Sequence, residues 1–375
     1  MNWASEWFPI DDAVYLDSAA HAVMPRAAVT AVEEAVAANM RPYRIDDAIF
    51  FDVPVRLRNS LAKLIGASAR EIALTTGASS GLQTLALHLP WELGDEVVIA
   101  AGDFPLQYAI WKPMEQRAGV KLTIVKARGR FLTADDLIEA MTPRTRVVSV
   151  AHVRFDDGSV LDARRLADAC HAQGALLALD VSQSCGSIPI DVEALGADIV
   201  VCAGYKWLLG PYGTGFFRLS ESMVEELLPG PFNWCAQPGE TFATMNFVAP
   251  EPSQDARRWD AAEAATHFNL NLMALAAGVD LVLQFGPESV RQHNAMLIDA
   301  LLERLPAGYA AASPVDASAR GAFGCITAGD AQRTTAVYER LRAAGFFLSL
   351  RQGRLRIAPH LFNSIDQIDR LIEAL

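Results

Sequence analysis

Between residues 71 and 219 the chain alternates short apolar runs with segments of helical period, and few folds accommodate that alternation. Apolar runs at 72–75, 96–100, 121–125, 146–151 and 176–180 have strand length and carry few charges. Between them, helices are expected from the turn at 76–81 to about 89, and over 106–118, 132–141 and 163–173. Strands covered by helices on both faces read as continuous aliphatic runs, so the expected fold is α/β with a mostly parallel sheet. Two helices, at 25–40 and 53–65, precede this region. After it come helices at 269–285 and 287–305. Short strands at 322–327, 347–350 and 355–357 then alternate with helices at 332–344 and 365–375, which predicts a second, smaller α/β domain. The expected division is an N-terminal segment over 1–20, a large domain over 21–260 and a small domain over 261–375 that includes part of the N-terminus. Residues 229–252 are rich in Pro, Gly and aromatics without a period, as in a loop or junction.

With 375 residues, 51% of them apolar, the chain is long enough for a substantial core. A net charge of −12 argues against general nucleic-acid binding, which needs a positive surface. The first residues carry no basic and apolar leader pattern, and no run approaches the roughly 18 apolar residues of a membrane span. The five cysteines lack metal-ligand spacing, so reduced thiols and a cytoplasmic setting are expected, with no metal.

Two of the apolar runs each deliver a polar group. One ends at Asp180, with Gln183 just beyond; the other leads into Gly204-Tyr205-Lys206 and a turn, Gly210-Pro211-Tyr212-Gly213-Thr214-Gly215. In open α/β sheets, ligands gather at the carboxyl ends of strands. A lysine amine and a carboxylate there suit pyridoxal phosphate, whose aldehyde takes the amine and whose ring nitrogen takes an acidic partner. A lysine snorkelling from a strand end and an aspartate capping a turn explain each residue taken singly. Thr76-Gly77-Ala78-Ser79-Ser80 opens a helix, where free N–H groups favour a phosphate, although a simple cap explains it nearly as well. The Gly210–Gly215 turn precedes a strand-like segment, unlike a dinucleotide fingerprint, which opens a helix.

Taken together, these segments resemble the class V aminotransferase and cysteine desulfurase family of fold-type I pyridoxal phosphate enzymes. The likeness rests on Asp180 and Gln183 as D-x-x-Q, on Gly204-Tyr205-Lys206-Trp207, and on the following GP-x-G-x-G. Tyr15-Leu16-Asp17-Ser18-Ala19-Ala20-His21 resembles the family's N-terminal motif, Thr76–Ser79 its phosphate turn, and Asp103-Phe104-Pro105 its ring-stacking loop. The resemblance implies a large domain with a seven-stranded sheet, a small C-terminal domain and a homodimer. It implies that Lys206 takes the cofactor and shuttles protons, that Asp180 holds the ring nitrogen and that Gln183 bonds near the ring hydroxyl. By the same likeness Phe104 stacks on the ring, while Ala78, Ser79 and Tyr205 hold the phosphate. Arg356 then takes the substrate carboxylate, a task that suits the guanidinium fork, and His21 lies near the substrate.

Some positions depart from the family pattern. The stretch Phe346 to Arg356, FFLSLRQGRLR, has no cysteine and no room for the loop that carries a desulfurase nucleophile. Phe155 stands where an asparagine often contacts the cofactor, and Ala262-Glu263 replace a glycine–threonine pair. The expected function is a pyridoxal phosphate enzyme acting on an α-amino acid, as an aminotransferase or a C–S/C–Se lyase and not a persulfide-forming desulfurase. An epimerase of the same family is the alternative, as is a non-catalytic scaffold, to which Phe155 and Glu263 point. Cys235 reads as a small hydrophobe. His152 and His360 could touch cofactor or substrate, or be buried imidazoles.

Overall fold

The computed structural model describes residues 3–10, 13–232, 251–265 and 267–375. A short strand near the N-terminus, β1 (Val14–Tyr15), precedes the main sheet. That sheet comprises β2 (Ile72–Thr75), β3 (Glu96–Ala100), β4 (Lys121–Val125), β5 (Thr145–Ala151), β6 (Leu176–Asp180), β7 (Ile199–Ala203) and β8 (Gly215–Leu219). Its spatial order is β2-β8-β7-β6-β5-β3-β4. Neighbours are parallel except around β8, which runs antiparallel to both β2 and β7. The seven strands expected by resemblance are present, and β8 is what makes the sheet mixed.

Every residue of β2, β3, β6, β7 and β8 is buried, which is why these strands read as unbroken runs. One face carries Leu74, Val98, Val148, Leu177, Leu179, Val200 and Phe216 into a core shared with helices α1 (Arg26–Asn39), α2 (Asp47–Ile65) and the later helix Leu270–Phe285. The opposite face packs Ala73, Val97, Ile99, Val147, Ala178 and Val201 against α3 (Ala78–His88) and α4 (Pro105–Trp111).

A separate four-stranded sheet of order β12-β13-β10-β9 is built from β9 (Ala310–Ala311), β10 (Gly324–Thr327), β12 (Ser349–Arg351) and β13 (Arg354–Ile357). The strand β11 (Phe346–Phe347) pairs in parallel with β1. Val14 and Leu16 thereby join the core formed by Leu297, Leu301, Ile326, Leu341, Leu355 and Leu371. The helix Leu270–Phe285 lies beyond the division expected at residue 260, yet it packs into the larger core.

Three local expectations change. The helix expected over 53–65 begins at Asp47, with the Asp46 carboxylate capping Ile49 N–H. Pro54 lies inside that helix and cannot donate to Phe50 O, which accepts the Phe268 N–H instead. The helix expected over 106–118 is two pieces, Pro105–Trp111 and Met114–Arg117, separated at Pro113. The strand expected over 347–350 divides into β11 and β12. Most of the stretch 229–252 lies outside the described residues, as does Cys235.

Candidate active site

Strands β6 and β7 are parallel neighbours, and their carboxyl ends bring the two polar groups together. Asp180 ends β6 opposite Val201 of β7, and Lys206 lies three residues past the end of β7. The turn between them is stitched: Ser182 N–H donates to Asp180 Oδ1 at 2.8 Å, and Ala203 N–H donates to Ser182 Oγ at 3.0 Å. Beyond the lysine, Leu209 N–H closes back on Lys206 O, and Leu209 adopts a left-handed φ of 61°.

Lys206 is 8% exposed, and its ammonium is held below the usual lysine range. Burial is the main cause; the Arg356 charge adds to it, while Asp180 opposes it. Its Nζ lies 5.5 Å from the Phe104 ring centroid and 5.7 Å from that of Tyr205. Phe104 is 41% exposed, so the aromatic ring near the lysine is only partly covered. It immediately precedes α4, and Asp103, which the sequence places in the same loop without a role of its own, fixes its turn by accepting Phe104 N–H at 2.7 Å and Ala151 N–H at 3.0 Å. Burial and the nearby Asp180 charge raise the Asp103 pKa, against the pull of Arg154.

The N-terminus of α3 meets the same end of the sheet. Gly77, at φ 155°, precedes Ala78, and nothing stands within 4 Å of where a side chain on Gly77 would project. The turn sits flush on β8: a Cβ on Gly215 would lie 2.6 Å from Gly77 Cα and 2.5 Å from Cys202 O. Ala78 is buried and Ser79 exposed in the first turn, whose N–H groups lack the usual acceptor four residues back, although Ser80 N–H reaches Gly77 O at 3.2 Å. Thr76 Oγ1 lies 3.1 Å from Ser80 Oγ.

Arg356 is not an open guanidinium. It is 2% exposed, and its Nη2 donates to Asp17 Oδ1 at 3.1 Å and to Ser349 Oγ at 3.3 Å. Its Nη1 donates to Phe155 O at 3.1 Å, while its buried Nε has no acceptor. Phe155, in place of the family's asparagine, sets its ring edge-on to Phe104 at 5.5 Å. Asp17 is a site residue that sequence reasoning quoted within a motif without giving it a role.

Gln183 is more committed than the resemblance implies. Its Nε2 donates to Ala19 O at 2.8 Å, and its Oε1 accepts from Trp207 Nε1 at 3.0 Å, leaving one amide N–H for any ligand. His21 is exposed beside the Tyr205–Tyr212 stack, whose centroids are 4.0 Å apart; its own ring is 4.7 Å from Tyr212. Tyr205 is thus covered by Tyr212, which was not foreseen. His152 is buried at the end of β5 with Nδ1 3.1 Å from Ser184 Oγ, and burial pushes its pKa down to about 4. His360 does not face a substrate: it is fully buried among Trp7, Trp207, Phe285 and Phe362. The side chain of Glu263 lies outside the described residues.

A buried lysine and a carboxylate on adjacent strand ends, a partly exposed aromatic ring and a helix N-terminus together define a site for a phosphorylated, aldehyde-bearing cofactor on an α/β scaffold. The chain matches the aminotransferase class-V family over residues 14–333 and belongs to it. It is similar to the uncharacterized aminotransferase YcbU of Bacillus subtilis, 26% identical over 85% of this chain and 82% of that protein. Isopenicillin N epimerase of Streptomyces clavuligerus is 27% identical over 88% and 86%. A probable cysteine desulfurase of Methanothermobacter thermautotrophicus is 34% identical, but over 46% and 43%. Among solved structures, the cysteine desulfurase CsdA of Escherichia coli superposes with TM-score 0.83 at 19% identity, covering 99% of this chain and 96% of that one. The cystine C-S lyase C-DES, in complex with cysteine persulfide, gives 0.82 at 20% identity and 97% coverage of both. These likenesses establish a fold-type I architecture. Pyridoxal phosphate is the cofactor, and the space beyond Gly77, the buried Lys206 amine and the partly exposed Phe104 ring fit its phosphate, aldehyde and ring.

Proposed function

We propose that the chain acts on an α-amino acid through Lys206, as an aminotransferase or a C–S/C–Se lyase rather than a persulfide-forming desulfurase. The observation that carries this reading is the Lys206 amine, buried and of lowered basicity, beside Asp180 and near a partly exposed aromatic ring. Pyridoxal phosphate, when bound, supplies an aldehyde and an electron-withdrawing ring that acidify the Cα of an amino acid. Lys206, whose burial weakens its hold on its proton, would hold the cofactor through that aldehyde and, once a substrate amine replaced it there, would carry the proton to and from Cα. Asp180 pairs with the ring nitrogen and keeps it protonated. Phe104 covers one ring face, and Gln183 has one amide N–H left for the ring hydroxyl. The α3 N-terminus at Ala78 and Ser79, with the Tyr205 hydroxyl, takes the phosphate. Arg356 would orient the substrate carboxylate with the N–H groups it has left, among them its unpaired Nε–H, while Asp17 fixes the guanidinium, and His21 borders the substrate entrance.

The reading against persulfide chemistry is supported by the β12–β13 connection. These strands are joined by the two residues Gln352 and Gly353, with left-handed φ of 47° and 74°, so no loop precedes Arg356. Cys325, opposite Arg356 in the sheet, is buried, and its thiol is pushed up to about 12 by that burial, which leaves it a poor nucleophile. A homodimer is supported by exposed Met40, Tyr43, Ile49 and Val55 along the α1–α2 region, apolar surface that suits a second copy. The buried free thiols Cys170, Cys185, Cys202 and Cys325 suit a reducing, cytoplasmic setting.

The test is to incubate purified protein carrying the cofactor with a panel of amino acids, with and without a keto-acid acceptor. A new amino acid marks transamination, whereas pyruvate with sulfide or selenide marks elimination. Racemisation without either product moves the site to epimerase chemistry. A cofactor absorption band with no turnover of any amino acid supports a scaffold instead. Lys206→Ala should abolish both the band and turnover.

A further inference from the structure

The hairpin β12–β13 places three arginines on one face of the small sheet. Ser349 pairs with Arg356 and Arg351 with Arg354, and residues directly opposite or two apart share a face. The Ser349–Arg356 hydrogen bond confirms that face, while Leu350 and Leu355 point into the small core on the other. Two of these guanidiniums have carboxylate partners: Arg356 pairs with Asp17, and Arg354 with Asp156 at 2.5 Å. Asp156 is shared further with Arg154 at 3.1 Å.

Arg351 is different. It is half-buried, and its hydrogen bond goes to its own neighbour, Leu350 O, at 3.1 Å. Among the described residues no carboxylate lies within ion-pair distance of it. It also stands directly opposite the like charge of Arg354, a pairing that destabilises a sheet unless something offsets it. The hairpin tip is held against the site: Gln352 Nε2 donates to Gly102 O at 2.9 Å, in the loop that leads to Phe104. After burial, the Arg351 charge is among the influences that lower the basicity of Lys206 and Arg356, so it acts on the same space.

We propose that Arg351 is a second anion subsite beside Arg356, which selects an α-amino acid whose side chain ends in a carboxylate or another small anion. The inference rests on the amino-acid reading above. Diagonal neighbours such as Arg351 and Arg356 are rooted about 7–8 Å apart, and their long stems can converge on the two ends of a short diacid. The Arg351 guanidinium then grips the distal anion through paired N–H donors, while Arg356 meets the α-carboxylate with the N–H groups that Asp17, Ser349 and Phe155 leave free.

Two measurements test this. Spectral titration of the cofactor-loaded protein should show L-glutamate or L-aspartate binding roughly tenfold or more tightly than L-glutamine or L-asparagine, the size of one charge-assisted contact. Arg351→Gln should erase that preference, weakening binding of the acids roughly tenfold more than binding of the amides. Equal affinity for acids and amides in the wild type, or an equal loss for both in the variant, would overturn the subsite while leaving the amino-acid reading intact. The second measurement needs no amine chemistry. Glutarate should raise the melting temperature more than butyrate does, and Arg351→Gln should make the two alike, with Arg351→Lys retaining part of the difference. If no amino acid perturbs the band, the amino-acid reading falls, and equal shifts by glutarate and butyrate still reject the Arg351 assignment.

Discussion

The sharpest stability prediction concerns His360. Its ring is fully buried, both ring nitrogens lack a partner, and burial pushes its pKa down to about 3. An imidazolium there would face Trp7, Trp207, Phe285 and Phe362 with no acceptor. The folded state therefore stays neutral where the unfolded chain, near its ordinary value of 6.5, takes up a proton. A depressed folded pKa means the stability is intact above about 6.5 and is lost as pH falls toward 3. At pH 5 the unfolded state is favoured by about 1.5 pKa units' worth of proton binding, or about 2 kcal/mol. His152, held down to about 4, adds a similar amount at that pH. His360→Phe keeps an aromatic ring of similar shape and removes the titration. Urea unfolding of both proteins at pH 8, 7, 6 and 5 isolates the effect, because every other titrating group is common to the two. The stability difference should hold constant from pH 8 to 7 and then move in favour of the variant by about 2 kcal/mol at pH 5. Parallel profiles, differing by less than about 0.5 kcal/mol across that range, would refute the buried neutral imidazole.

Two further outcomes are expected. Gly215→Ala drives a Cβ against Cys202 O and Gly77 Cα, so the turn at Gly77 must move; it should cost about 1–3 kcal/mol and, if that turn takes the phosphate as proposed, speed cofactor loss on dialysis, measured by residual absorbance. Asp17→Ala leaves Arg356 buried without its carboxylate and should cost about 3 kcal/mol in thermal unfolding, with a raised KM for the amino acid. Asp17→Asn, which keeps an acceptor, should cost less, and equal losses in the two would place the effect in packing rather than charge.

Much of the sheet was legible because its inner strands are buried on both faces and so appear as apolar runs at 72–75, 96–100 and 176–180, while the half-exposed edge strand at 121–125 still kept a strand-length run. Lys206 and Asp180 stood out for a related reason, as polar residues placed against those runs. The start of α2 was hidden because Pro54 reads as a helix boundary. Only the distant Phe268 N–H, bonded to Phe50 O, reveals how the helix accommodates it. Arg351 did carry a local signal: LSLRQGRLRI alternates strictly around a two-residue turn, which by itself puts Arg351, Arg354 and Arg356 on one face.

The chain's local chemistry determined an α/β sheet, a lysine and a carboxylate at strand ends, and a helix opening suited to phosphate. Periodicity and residue type act over a few residues, and these features need no more. Tertiary structure alone decided the antiparallel placement of β8, the pairing of β1 with β11, and the Asp17–Arg356 ion pair. It also decided that His360 sits in an aromatic core and not at the substrate. Each of these depends on contacts between segments far apart in the chain, where closure and packing of the whole choose the partner and no local pattern records the choice.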